Sequence, residues 1–336
     1  MANYTVYIDG ASGTTGLQIR DRLEGQEDIE LIVPEGEQRK DLSCRLEALG
    51  RSDLGILCLP DEAARELVSA APAHVRIIDA STAHRTNSAW VYGFAELEPP
   101  DRPAPGPRYR DLIRTARLVA VPGCHATGFL ALTAPLLRRG HIPPALRLRC
   151  HSLTGYSGGG KTMIAAYQDP GRPNDYLSPR QYGLTLRHKH LPEMRTIAGL
   201  EKSPLFSPIV DDFYQGMLVS VGLGAEDFIG GEFGRNGTLS IEALRRFFTD
   251  YYRGQTLIHV MEESPQDLAS NTLAGRDDLE IWIGGNEEQV LLMARLDNLG
   301  KGASGAAVQC LNLMLGRPEY SSLRFETPVQ NQKQPA

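Results

Sequence analysis

The stretch YTVYIDGASGTTG, residues 4–16, decides the fold of this chain. Its first half is an apolar run typical of a buried strand, and its second half is a glycine-rich turn that opens a helix. Glycines at such a junction allow a tight turn, while the amide groups and positive dipole of the helix start favour an anion. The stretch predicts a dinucleotide site; the alternative is a tight turn that binds nothing. The residues that would contact the cofactor are Gly10, Ser12, Gly13, Thr14, Thr15 and Gly16.

The segments after this turn continue the same pattern. Short runs rich in valine, isoleucine and leucine, such as LGILCLP and VRIIDAS, alternate with helix-like segments such as DEAARELVSAAPA. This order is typical of crossover units on a parallel sheet. We therefore expect an α/β protein whose first domain is a Rossmann-type parallel sheet.

The second half of the chain has a different pattern. It contains longer, partly alternating apolar runs, and one of them, LEIWIGGNEEQVLLMARLDN, carries a hairpin signal at IGGN. These runs predict a second α+β domain on a mostly antiparallel sheet, and we expect the closing helix KGASGAAVQCLNLML to return to the first domain. The predicted boundaries are 1–123 with 298–336 for the dinucleotide-binding domain, and 124–297 for a catalytic, substrate and oligomerisation domain.

Composition excludes several functional classes. The 336 residues carry a formal net charge of −6, which argues against a general nucleic-acid binder because such proteins need clustered cations. The five cysteines are widely spaced and lack a C-x-x-C pair, so neither a disulfide framework nor a zinc site is indicated. The N-terminus has no signal-peptide pattern, and no apolar run approaches membrane-spanning length. We expect a cytoplasmic protein without a membrane partner.

One cysteine stands at a junction that suits catalysis. In VPGCHATG a strand breaks at Pro-Gly, and Cys124 occupies the first turn of the next helix. Unpaired amides and the helix dipole at that position are expected to lower the cysteine pKa and to favour the nucleophilic thiolate. The alternative is that Cys124 is a small buried hydrophobic residue.

A histidine pair opens another helix, in the segment LRHKHLPEMRTIAGL. His190 and Glu193 are three residues apart and share a helical face, so the carboxylate could orient the imidazole for proton transfer. His188 and His125 compete for the same role, and the pair His188 and His190 lacks a third metal ligand. The alternative is a solvated helix start with a capping acid.

The octet GYSGGGKT, residues 155–162, matches both the phosphate-binding loop of nucleotide triphosphatases and the serine elbow of hydrolases. Its context fits neither, because the preceding segment LRLRCHSLT alternates polar and apolar residues and the following helix is short. We interpret its glycines as loop residues that approach a ligand. An ATPase or kinase built on Lys161 remains an alternative, as does a non-catalytic regulator that senses NADP.

The choice of nicotinamide cofactor depends on VPEGEQRKD, after the second strand. Glu35 there would suit a free ribose hydroxyl, whereas Arg39 or Lys40 would suit a 2′-phosphate. The cations are more numerous, so this segment favours NADP; the alternative is that they form a solvated loop.

Six motifs together resemble the N-acetyl-gamma-glutamyl-phosphate reductases of arginine biosynthesis, relatives of aspartate-semialdehyde dehydrogenase. The motifs follow that family's order along nearly the whole chain, and the compact length resembles its shorter, type 2 branch. They are DGASGTTGLQI, DASTAHR, VPGCHATG, TGYSGGGK, HKHLPE and NLGKGASGAAVQCLNLM.

The resemblance implies a role for each matching residue. Cys124 would accept the acyl group, His190 would be the acid and base with Glu193 supporting it, and Arg85 would grip the phosphate or carboxylate of the substrate. The implied reaction is NADPH-dependent reduction of N-acetyl-gamma-glutamyl phosphate through a cysteine thioester, in a homodimer or homotetramer. Related substrates, aspartyl phosphate or a carrier-bound aminoadipyl phosphate, remain alternatives. Further cofactor contacts would come from Ser157, Gly158, Gly159 and Asn298.

Overall fold

The computed structural model describes residues 3–34, 36, 41–235, 238–263 and 265–326. Within these residues the first sheet has six strands, in the order β2-β1-β3-β4-β6-β5, and every pairing in it is parallel. The strands are β1 (Tyr4–Asp9), β2 (Ile29–Ile32), β3 (Leu54–Leu57), β4 (Arg76–Asp79), β5 (Val91–Tyr92) and β6 (Leu118–Ala120). This is the predicted Rossmann-type parallel sheet.

Helices connect these strands, and the first of them depends on glycine. Gly10, directly after β1, has a φ of 77°, and a Cβ atom there would overlap the carbonyl oxygen of Cys58. A Cβ atom on Gly16 would likewise overlap the carbonyl oxygen of Gly10. The glycines therefore let the turn close tightly against the neighbouring strand. The helices of this part are α1 (Thr14–Leu23), α2 (Leu42–Gly50), α3 (Asp61–Ala70) and α4 (Tyr109–Thr115).

The second sheet has seven strands within the described residues, in the order β13-β14-β15-β10-β7-β9-β8. Four of its six pairings are antiparallel, and the β7–β9 and β13–β14 pairings are parallel. The mostly antiparallel second sheet is thus confirmed, including the hairpin of β14 and β15. Its strands are β7 (Arg149–Gly155), β8 (Arg180–Gln181), β9 (Leu205–Asp211), β10 (Met217–Gly224), β13 (Ile258–Val260), β14 (Leu279–Gly285) and β15 (Gln289–Leu296); β11 (Gly234–Arg235) and β12 (Thr238–Leu239) form a separate small pair.

The closing helix packs against the first sheet, as predicted. It contacts α1, α4 and β4, and it follows a π-helical turn at Gly300–Ser304. A buried ion pair of 2.8 Å between Lys301 and Glu96 joins that turn to the segment after β5. No helix in the described part of the chain is long and apolar enough to cross a membrane. The remaining helices are α5 (Cys124–Arg138), α6 (Gly160–Gln168), α7 (Leu191–Ala198), α8 (Ile241–Tyr251) and α9 (Gly305–Leu315).

Candidate active site

A cleft of about 560 Å³ lies where the two sheets meet. One wall consists of the segments that follow β1, β3, β4 and β6, at the carboxyl ends of the parallel strands, where α/β sheets bind their ligands. The other wall comes from the end of β7, the glycine loop that follows it and the segment before α7. The predicted site residues on this cleft are Gly13, Thr14, Thr15, Gly16, Arg85, Cys124, Ser157, Gly158, Gly159, His190 and Asn298.

Three predicted site residues lie elsewhere. Gly10 and Ser12 line a neighbouring cavity of about 570 Å³, together with Arg20 of α1 and Val33 after β2. Glu193 is buried in α7, behind the cleft wall. The residues weighed for cofactor choice, Glu35, Arg39 and Lys40, lie outside the described residues.

The start of α1 can accept an anion. Its N-cap is Gly13, and among the described residues no side chain caps this helix start and no acidic side chain occupies its first turn. The amide groups of that turn therefore remain available, and the helix dipole adds a partial positive charge. An anionic pyrophosphate fits this arrangement.

Cys124 is the first residue of α5 and contributes to the cleft wall, where it is partly exposed. Its Cβ packs so closely against Gly302 that a Cβ atom on that glycine would lie only 2.8 Å away. Burial raises the pKa of the Cys124 thiol to about 11, although the backbone N–H of His125 and the charges of Arg85 and Lys189 lower it. The prediction of a lowered pKa is therefore wrong for the free protein, because desolvation outweighs the helix start.

Three histidine rings cluster beside the cysteine. The ring centroids of His125 and His188 are 5.4 Å apart, those of His125 and His190 are 5.5 Å apart, and those of His188 and His190 are 4.8 Å apart. Burial lowers the pKa of His125 to about 3 and that of His188 to about 4. Burial, and then the charge of Arg85, holds the pKa of His190 well below its usual value. All three imidazoles are therefore neutral near pH 7.

The hydrogen bonds distinguish these histidines. The ring nitrogens of His125 are both occupied, Nδ1 by the Ser152 hydroxyl at 2.7 Å and Nε2 by the Tyr182 hydroxyl at 2.8 Å. Nδ1 of His188 accepts the backbone N–H of His190 at 3.2 Å. Nδ1 of His190 has no partner among the described residues, and its Nε2 lies against Gly123, the residue before Cys124. Nε2 is thus the ring nitrogen of His190 on the side of the nucleophile, and no described hydrogen bond occupies it.

Glu193 does not contact His190 among the described hydrogen bonds. Its Oε2 accepts Nη1 of Arg85 at 3.0 Å, and its Oε1 accepts the Tyr92 hydroxyl at 2.6 Å and the Gly123 N–H at 2.8 Å. The expectation that Glu193 orients the imidazole therefore needs correction: the carboxylate fixes an arginine and the backbone at the start of α5. Sharing a helical face was not sufficient, because three stronger donors reach the carboxylate from other segments.

Arg85 is held by the protein through all three of its side-chain nitrogens. Nε donates to the carbonyl of Val121 at 2.9 Å, Nη2 donates to the carbonyl of Ala80 at 3.2 Å, and Nη1 donates to Glu193. A guanidinium has five N–H groups, so two remain for a ligand. The charge of Arg85 is already compensated by the buried carboxylate.

The octet at residues 155–162 lies beside Asn298. Nδ2 of Asn298 donates to Oγ of Ser157 at 2.9 Å, and its Oδ1 accepts the Gly216 N–H at 2.8 Å. This interaction holds the glycine loop against the turn that precedes α9. The strand before the octet, β7, alternates exposed and buried residues at its start, and it pairs antiparallel with β10 and parallel with β9. The strand that precedes a phosphate-binding loop is instead buried within a parallel sheet.

Comparisons with known proteins identify the family. The family model "Semialdehyde dehydrogenase, NAD binding domain" matches residues 5–102, and "Semialdehyde dehydrogenase, dimerisation domain" matches residues 124–298. The N-acetyl-gamma-glutamyl-phosphate reductase of Sinorhizobium medicae is 45% identical over 320 residues, which cover 92% of this chain and 98% of that protein. The chain belongs to the N-acetyl-gamma-glutamyl-phosphate reductase family. The reductase of Brucella ovis is 46% identical over 93% of this chain and 99% of that protein.

Solved structures with low sequence identity confirm the fold of this family member. Aspartate semialdehyde dehydrogenase II of Vibrio cholerae, complexed with ASA, aligns with a TM-score of 0.67 at 14% identity, over 94% of this chain and 99% of that one. The aspartate semialdehyde dehydrogenase of Candida albicans with NADP aligns with a TM-score of 0.62 at 14% identity, over 93% and 98%. The fold class and the family predicted from the sequence are thus both confirmed.

Sequence reasoning missed several residues on or behind the wall of the family member's cleft. Tyr92 lies on a two-residue strand without a motif, and its contact with Glu193 is not apparent from the local sequence. Tyr182, which holds His125, follows a loop without periodicity. Lys189 lies on the cleft wall between two histidines that were singled out; its position inside the motif was the available signal. No group of three metal-ligating side chains occurs in the part of the chain that the structure describes.

Proposed function

We propose that this protein reduces N-acetyl-gamma-glutamyl phosphate to N-acetylglutamate 5-semialdehyde and phosphate with NADPH, through a thioester on Cys124. The observation that carries the proposal is a single cleft that contains that cysteine, the His190 imidazole with Nε2 against the residue before it, and the glycine turn of α1. Family membership supports the choice of substrate. The reaction belongs to arginine biosynthesis, and we place the protein in the cytoplasm.

The residues of the cleft fit a dinucleotide. Gly13, Thr14, Thr15 and Gly16 would hold the pyrophosphate at the start of α1, where the amides are free. Gly10 and Ser12, on the neighbouring cavity, would hold the adenosine half. When bound, the cofactor supplies the hydride that reduces the thioester. The nicotinamide end would contact Ser157, Gly158, Gly159 and Asn298.

Formation of the thioester needs a base, because the pKa of the Cys124 thiol is about 11 in the free protein. Nε2 of the neutral His190 accepts the thiol proton as the sulfur attacks the acyl carbon. A carbon–sulfur bond forms and the carbon–oxygen bond to the phosphoryl group breaks. Phosphate leaves with the electron pair and takes the proton from His190.

Reduction of the thioester produces a thiohemiacetal on Cys124. His190 takes up a proton from solvent and donates it to the oxyanion. It later removes the hydroxyl proton as the carbon–sulfur bond breaks and passes that proton to the sulfur. The aldehyde leaves and the thiol is restored. Amides at the start of α5 and the two unused N–H groups of Arg85 would stabilise the oxyanion, an effect of about 3 kcal/mol for each well-aimed donor. Glu193 supports this step by fixing Arg85 and the Gly123 amide.

We also propose a division of labour along the chain. Residues 1–123 and 298–336 bind the dinucleotide, and residues 124–297 carry the catalytic groups and the contacts between subunits. Support for a homodimer or homotetramer comes from the description of the matching family model as a dimerisation domain. Analytical ultracentrifugation of the purified protein tests this assembly, and a monomer at micromolar concentration would contradict it.

The function is tested in reverse, as phosphate-dependent reduction of NADP⁺. The purified protein is given the semialdehydes of N-acetylglutamate, of aspartate and of carrier-bound aminoadipate, each with phosphate. We expect turnover with the first and its abolition in Cys124→Ser. Faster turnover of either other aldehyde would reassign the substrate. ATP hydrolysis that is lost in Lys161→Ala and survives Cys124→Ser would replace the reductase by an ATPase.

A further inference from the structure

Two lysines on the cleft wall have no partner. Lys161, in α6, and Lys189, before α7, line the cleft and are exposed to it, and neither forms an ion pair or hydrogen bond with any described residue. The third basic side chain, Arg85, is compensated by Glu193 at 3.0 Å. Asp61, the one carboxylate among the described residues of the cleft wall, accepts the N–H of Thr82. The uncompensated positive charge of the cleft therefore comes from its lysines.

Arg85 forms with Glu193 a pair that has no net charge. The Arg85–Glu193 pair is 3.0 Å long, and both side chains are at least nine-tenths buried. A buried pair of this kind has already lost most of its attraction for a further anion, because the two opposite charges cancel at a distance. The phosphoryl group of an acyl phosphate is a dianion near neutral pH and needs net positive charge at its binding site.

Lys189 is the unpaired lysine on the side of the reacting groups. It lies on the cleft wall directly before His190, and Nε2 of His190 lies against Gly123, the residue before Cys124. In keeping with this position, its charge lowers the pKa of His188, of His190 and of the Cys124 thiol. Lys161 follows the glycine loop instead, at the start of α6. The phosphorus of the substrate is two bonds from the carbon that the sulfur attacks, so the counter-charge for the phosphoryl oxygens must be near the sulfur. Lys189 meets this condition.

We propose that Lys189 binds the phosphoryl group of the acyl phosphate and retains the phosphate as it leaves. The inference rests on the proposed function, and it gives a role to the lysine of the motif HKHLPE, to which the resemblance assigns none. As the carbon–oxygen bond breaks, negative charge accumulates on the phosphate, and the ammonium group stabilises that charge. The flexible stem of a lysine can follow the departing phosphate, which the fixed guanidinium of Arg85 cannot do.

The test is the KM for inorganic phosphate in the oxidation of N-acetylglutamate 5-semialdehyde. We expect Lys189→Met to raise it about 10- to 100-fold, the loss of one charge-assisted contact, and to leave the KM for NADP⁺ unchanged. Lys189→Arg keeps the charge, so its KM for phosphate should stay close to that of the wild type. Lys202→Met removes one exposed lysine outside the cleft and should change neither constant.

A second measurement separates this inference from the proposed function. Phosphate is titrated against alkylation of Cys124 by iodoacetamide at alkaline pH without cofactor, and mass spectrometry follows the modified peptide. If the wild-type protein fails to oxidise the semialdehyde, the proposed function fails. The protection of Cys124 by phosphate against alkylation then decides the role of Lys189 alone. An unchanged KM for phosphate in Lys189→Met would overturn the inference, and so would a raised KM for phosphate in Lys161→Met instead. If the protein is inactive, the inference is overturned when phosphate does not protect Cys124 from alkylation.

Discussion

The buried pair of Arg85 and Glu193 is expected to contribute strongly to the free energy of unfolding. Their side chains are 7% and 2% exposed, so removal of either partner leaves an uncompensated charge in the interior. Such a change costs about 3–5 kcal/mol of unfolding free energy. We expect Glu193→Gln and Arg85→Met each to approach about 3 kcal/mol. The double variant leaves no orphaned charge and should cost about 2 kcal/mol less than the sum of the two.

Urea unfolding at one fixed protein concentration, followed by the fluorescence of Trp90 and Trp282, measures this cycle. The control is Glu242→Gln, which breaks a pair of 2.9 Å with Arg245 in which Glu242 is 68% exposed. That loss should stay below about 1 kcal/mol. Single variants that cost no more than the control, or a double variant equal to the sum, would refute the claim that Glu193 serves Arg85.

Three further predictions concern the same cleft. Gly123→Ala places a Cβ atom onto Nε2 of His190 and Nη1 of Arg85, so kcat should fall about 100-fold, whereas Gly222→Ala, which meets nothing within 4 Å, should leave kcat intact. The pKa of His188 is about 4 in the folded protein and about 6.5 in the unfolded chain. Its contribution to stability is therefore complete above pH 6.5 and is lost as the pH falls toward 4, by at most about 1.4 kcal/mol per pH unit. Urea unfolding across that range should show that the unfolding free energy of His188→Gln changes less steeply with pH than that of the wild type. An equal pH dependence would contradict the assignment. Alkylation of Cys124 in the free protein should accelerate with pH toward the thiol pKa of about 11, and a plateau below pH 8 would show a preformed thiolate.

The parallel sheet and its glycine turn could be predicted because their causes are local. An apolar run specifies the strand, and the contacts around Gly10 and Gly16 exclude any side chain at those positions. The hairpin of β14 and β15 has an equally local cause in the turn at IGGN. The positions of Cys124 and His190 at two helix starts could also be predicted, because Pro-Gly and Leu-Pro mark those boundaries.

The partners of Glu193 could not be predicted, because they come from distant parts of the chain. Tyr92 and Arg85 precede it by 101 and 108 residues, and only the folded structure brings them together. The local rule of helical faces suggested His190, yet that residue is the N-cap of α7, before the regular helix begins.

The predicted direction of the Cys124 pKa shift was wrong for a related reason. The favourable helix start is a local property of Cys124, and the sequence revealed it correctly. Desolvation depends on what packs around the sulfur, including Gly302 from the turn before α9, about 180 residues further along the chain. Non-local packing therefore reversed the predicted direction, and it transfers the task of activation to His190.

The central claim is that Cys124 forms a thioester with the acyl group before any reduction occurs. Mixing the protein with N-acetyl-gamma-glutamyl phosphate in the absence of NADPH, quenching in acid and mapping the peptides by mass spectrometry tests this claim directly. The account predicts an N-acetylglutamyl adduct on Cys124 that hydroxylamine removes and that Cys124→Ser lacks. Unmodified Cys124 in a preparation that turns over with NADPH, or an adduct on another residue, would contradict it.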